Sequence, residues 1–156
     1  MSESEAPGDR WEHWLVHLLW AVSVRTSMLG ESALADSRLT LAGLGLLENV
    51  NARPGITIAG IARRAPQTQQ ALSQVAARLE TLGYLERRLA DRGRGIGLHL
   101  TAAGARARTS AHEAIETFEA ELATVLGAGR HARLLDVLEE TRTIVRDLDP
   151  RAGVRI

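Results

Sequence analysis

The chain has 156 residues, 45% of them apolar, which fits one folded domain with a real core. It has no cysteine, which excludes disulfides, thiolate chemistry and cysteine-held metals, and its formal net charge is zero. No run approaches 18 consecutive apolar residues and the opening MSESEAPGDR is polar, so no membrane partner is expected and the cytoplasm is the default location.

Residues 1–9 read as a flexible tail. From Trp11 a helical pattern begins, with Trp14, Leu15, Leu18 and Val22 on one stripe and His13, His17, Trp20 and Val24 on another. A helix apolar on two sides is usually covered twice, by its own chain and by a partner. Ser32 to Ser37 breaks it. Thr40 reads as the N-cap of LAGLGLLENV, whose Leu41, Leu44, Leu47 and Val50 share a face; Gly43 and Gly45 each weaken that helix by up to about 1 kcal/mol. Asn51 to Gly55 is a stop and turn. Thr57 then caps IAGIARRA, ended by Pro66, and Thr68 caps QQALSQVAARLETLG, with Leu72, Val75, Leu79 and Leu82 in helical spacing and Gly83 as a left-handed stop. Two short helices joined by a tight turn form a helix-turn-helix candidate.

YLERRL and IGLHL follow as two strands around an arginine-glycine turn at 90–95, with Leu85 and Leu89 facing one way and Tyr84, Glu86 and Arg88 the other. Thr101 caps the next helix. Ala111, Ile115, Phe118, Leu122 and Val125 step by four and three, the glycines at 127 and 129 punctuate, and Leu134, Leu138, Thr141, Val145 and Leu148 repeat the pattern. Such spacing fits helices packing along one another.

The neutral net charge hides a sorting. Every basic residue is arginine; ten of them lie from Arg53 to Arg108 against Glu80, Glu86 and Asp91, a local balance of +7, and the remainder carries −7. This pattern suggests a basic face between acidic arms, with chance scatter over solvated faces as the plainer alternative. The glycine-rich turn is no P-loop, since lysine is absent, and no dinucleotide fingerprint, since GRGIG opens a strand. A solvated hairpin and a DNA-reading wing remain, and the preceding helix-turn-helix favours the wing. Arginine at such a tip suits the minor groove. The exposed side of the second helix offers Thr68, Gln69, Gln70, Ala71, Ser73 and Gln74, groups able to bond adenine edges or touch thymine methyls, with Arg78 further along for a phosphate. Arg63 and Arg64 end the preceding helix, where phosphate contact and helix-dipole pairing are both served. The plainer reading of these helices is ordinary amphipathicity.

The passages Leu39-Thr40-Leu41, GITIAGIARRA, RLETLGYLERR at 78–88 and LHLTAAG at 98–104 together resemble the winged-helix core of the MarR (multiple antibiotic resistance regulator) transcription factors. The resemblance implies a mainly α fold with a small β-hairpin, a winged helix-turn-helix at 38–101 that binds double-stranded DNA, and dimerisation through helices at 10–30 and 104–149. It also implies a homodimeric regulator, repressing until a small aromatic or phenolic effector binds, and activation is equally compatible with these residues; no cofactor and no enzymatic activity are expected. Arg94 stands in the place of the family's wing arginine, while Arg92 holds the usual aspartate place with Asp91 one residue early. Leu44 and Gly45 replace a frequent aromatic-arginine pair, and Thr68-Gln69-Gln70-Ala71 replaces the usual Ser-Gln-Pro-Thr. His13, Trp14, His17 and Trp20 are candidates for an effector pocket; the plainer and preferred reading has the tryptophans filling an interface. A metal at His13 and His17 lacks further ligands, and no nucleophile elbow, HExxH or triad is present. Two other classes stay open: a dimeric protein-interaction module without operator binding, and a carrier or enzyme of small aromatic ligands.

Overall fold

The computed structural model describes residues 11–65, 67–89 and 95–148, so the tail at 1–9 lies outside the described residues. The chain forms two compact units, one ending at Ile115 and the other beginning at Glu116. In the first unit a 3-10 turn, Trp11–His13, precedes α1 (Leu15–Ala33). Gly30 alone is buried along α1; Leu15, Val16, Trp20 and Met28 are each more than 60% exposed. The expected cover from its own unit is therefore confined to the C-terminal end, where a side chain at Gly30 would meet Leu41 at 3.1 Å.

Threonine caps set the next elements. The hydroxyl oxygens of Thr40, Thr57 and Thr68 accept from the backbone N–H groups of Gly43, Gly60 and Ala71, at 3.0, 3.0 and 3.2 Å. They start α2 (Leu41–Ala52), α3 (Ile58–Ala62) and α4 (Gln69–Thr81), each cap contributing about 1 kcal/mol. Thr101 does the same for α5 (Ala102–Leu126), accepting from Gly104 N at 2.9 Å and donating to Gly83 O at 2.6 Å. α3 is shorter than the sequence suggests, because after Ala62 the N–H groups of Arg64 and Ala65 converge on one carbonyl, that of Ile61.

The core joins Leu34 and Leu39 to Leu44, Leu46, Leu47 and Val50 of α2, Ile58 and Ile61 of α3, and Leu72, Ala76 and Leu79 of α4. Gly43 belongs to this packing, since a Cβ there would lie 3.2 Å from the Thr40 hydroxyl; Gly45 faces open space and nothing in the packing requires it. Gly83, at φ +71°, ends α4 in the left-handed conformation expected of it.

β1 (Leu85–Leu89) and β2 (Ile96–Leu100) pair antiparallel, Leu85 opposite Leu100 and Leu89 opposite Ile96. Leu85 and Leu98 enter the core, but Leu89 is 84% exposed. The period-2 pattern is correct; the strand simply outruns the core beneath it, and exposed Ile96 opposite shows the same overhang. A third rung comes from the turn before α3: Gly55 N donates to Leu98 O at 2.9 Å and Leu98 N to Ile56 O at 3.0 Å. This approach needs a glycine at 97, where a Cβ would fall 2.6 Å from the Gly55 carbonyl oxygen. On α5, Ala111 is fully buried, and the Arg108 guanidinium donates through Nη1 to both Glu48 oxygens at 2.9 and 3.0 Å.

The second unit holds the end of α5 and α6 (Ala128–Leu148), separated by Gly127 at φ +82°. Phe118 and Leu122 are half-buried, whereas Val125, Leu134, Leu138 and Val145 of the expected stripe are exposed. Arg142 donates to Glu139 on the surface of α6, which holds that carboxyl below its ordinary range. No helix among the described residues is long and apolar enough to cross a membrane.

Candidate nucleic-acid interface

α3, the turn after it and α4 form the helix-turn-helix, with Leu72, Ala76 and Leu79 turned to the core. The opposite side of α4 exposes Gln69, Gln70 and Gln74, while Ala71 and Ser73 are half-buried. Thr68 is exposed with its oxygen engaged as the cap. Ser73 donates its hydroxyl proton to Gln69 O at 2.8 Å, so it offers an outside partner mainly an acceptor. The base-reading chemistry of this face therefore concentrates in the three glutamines, each with a carbonyl and an amide free to reach a base edge.

Arg87 pairs with Glu80 at 2.6 Å, Arg88 with Glu86, Arg108 with Glu48 and Arg142 with Glu139. Arg38, Arg53, Arg63, Arg64 and Arg78 are exposed and form no ion pair among the described residues. All five lie in or beside the winged core and line two clefts. One, of about 350 Å³, is bounded by Arg53, Gly55, Thr57, Arg63 and Arg64; the other, of about 240 Å³, by Arg38, Thr40, Gln74 and Arg78. Sequence reasoning reached Arg63, Arg64 and Arg78 but missed Arg38 and Arg53, which sit outside the two helices that carry the motif. Arg92 and Arg94 lie outside the described residues. Gly95, the next residue along, comes beside the α3 cap, where a Cβ would be 3.7 Å from Thr57 Cγ2.

Arg38 has φ 58° and ψ 13°, the one non-glycine residue with positive φ among the described residues. That conformation costs a residue with a Cβ roughly 1–2 kcal/mol.

Of the proposed effector residues, the structure brings His17 and Trp20 together, with ring centroids 5.7 Å apart. It adds Trp11, edge-on to His17 at 4.0 Å, which the helical pattern hid because Trp11 sits in the preceding 3-10 turn. His13 and Trp14 are exposed and take no part in these ring contacts. Among the described residues no group of three or more His, Cys, Asp or Glu is placed to hold a metal.

A two-stranded sheet packed after a threonine-capped helix-turn-helix, with helices before and after, defines a winged helix-turn-helix protein. Residues 39–95 match the family model described as MarR family. No curated protein matches the chain. Among solved structures, it is similar to the Mycobacterium tuberculosis MarR family protein Rv2887 in complex with salicylic acid, at 28% identity and a TM-score of 0.65, covering 82% of this chain and 96% of that one. It is similar also to the transcriptional repressor CouR bound to p-coumaroyl-CoA, at 26% identity and a TM-score of 0.75, covering 85% and 92%. The S. aureus MepR–DNA complex, 17% identical with a TM-score of 0.73 over 87% and 99% of the two chains, shares the fold.

Proposed function

We propose that this protein is a homodimeric, sequence-reading regulator of transcription that binds double-stranded DNA and is controlled by a small aromatic effector. The observation that carries the reading is α4's glutamine face, exposed and uncharged, beside five arginines without ion pairs. Glutamines specify bases while arginines neutralise phosphates, the two parts of a DNA-reading surface. Each α4 enters a major groove, and the dimer reads a pseudo-palindrome with half-sites about one helical turn apart. Arg94, with Arg92, reaches the flanking minor groove. The uncovered apolar side chains of α1 in the first unit, and of α6 in the second, support dimerisation through the terminal helices. Covering a promoter in this way represses it.

The effector part rests on the Trp11, His17 and Trp20 rings, and on the aromatic ligands named for the two relatives above. Salicylate is the first probe, and release of bound duplex without turnover is the expected behaviour.

The deciding experiment selects bound duplexes from a random library, for wild type and Arg94→Ala, at two salt concentrations. A pseudo-palindromic consensus, weakened in the variant and by salt, is the expected result. No enrichment at either salt would overturn DNA reading and favour a protein-interaction module.

A further inference from the structure

The strained residue and one of the clefts coincide. Arg38 closes a 3-10 turn, Ala35–Ser37, directly before the buried Leu39 and the capping Thr40. Glycine would occupy this left-handed position without strain. The arginine side chain there is not recovering its strain through a salt bridge, since it has none among the described residues. It borders the cleft of about 240 Å³ together with Gln74 and Arg78 of α4. Two of the backbone donors at the start of α2 are already engaged: Leu41 N donates to Glu31 Oε1 at 2.9 Å and Gly43 N to Thr40 Oγ1 at 3.0 Å. The cations that line this cleft are the guanidinium groups of Arg38 and Arg78.

We propose that Arg38 is a phosphodiester-binding residue, and that with Arg78 it straddles one backbone phosphate of duplex DNA beside the recognition helix. Two planar forks can share the oxygens of one phosphate, a geometry that arginine supplies and lysine does not. The inference rests on the DNA-binding reading and extends it to the loop before α2. A contact of this type fixes register without reading sequence.

The test compares wild type, Arg38→Gly and Arg38→Lys by thermal unfolding and by titration with the selected duplex and a scrambled one over a range of salt. Arg38→Gly is expected to be at least as stable as wild type, yet to bind both duplexes about tenfold more weakly at moderate salt. Its plot of log affinity against log salt should be shallower by up to about 0.9, because Arg78 still faces the same phosphate, while Arg38→Lys keeps most of the wild-type slope. An unchanged slope in Arg38→Gly, with wild type binding normally, would overturn the phosphate role and leave DNA binding standing. A lower Tm in Arg38→Gly would mark the arginine as structural and overturn it too. Wild type that binds neither duplex would sink the DNA reading and this inference together.

Discussion

Gln69, Gln70 and Gln74 differ from the arginines around them in what their loss should do. A glutamine lost from a base edge removes preference at one position, whereas an arginine lost from a phosphate weakens all sequences alike. Gln70→Ala is therefore expected to cost about 1–3 kcal/mol against the preferred duplex and little against a scrambled one, measured by parallel titrations. Gly97 is sensitive for a different reason. A methyl there would fall 2.6 Å from Gly55 O, and a backbone atom cannot swing away as a side-chain tip can. Gly97→Ala should lower unfolding free energy by about 1–3 kcal/mol, read by urea denaturation.

Among the elements, α5 is tied to the winged core by contacts of unlike character. Gly104 packs against the chain at Tyr84 so closely that a Cβ would lie 1.9 Å from the Tyr84 carbonyl oxygen, and Arg108 pairs with Glu48 on α2. The pair is partly solvated, so Glu48→Gln should destabilise by only about 1 kcal/mol, a small shift in Tm. The four threonine caps were legible in the sequence because each needs one side chain and a fixed three-residue spacing. Gly83 was legible for the same local reason. The third rung at Gly55 and Ile56, the Glu48–Arg108 pair and the overhang of Leu89 were not, since each depends on where segments far apart in the chain come to lie. Of the candidate interface, the glutamine face could be read from helical period alone. Arg38 could not, because its left-handed turn has no glycine to announce it.

At the scale of the whole molecule, the apolar surface left on α6 is the feature a single chain does not explain. Leu138→Glu with Val145→Glu is expected to convert a dimer to monomers in light scattering and to lose operator binding in the same preparation. A dimer that survives both charges would place the interface elsewhere. The rung between β2 and the turn before α3 has its own consequence for motion. Gly55 N donates to Leu98 O and Leu98 N to Ile56 O, so the wing sheet is bonded directly to the turn that leads into the helix-turn-helix. Their amide hydrogens should exchange with solvent deuterium at matched rates, opening in one event, and a salicylate-driven change should slow or quicken both together.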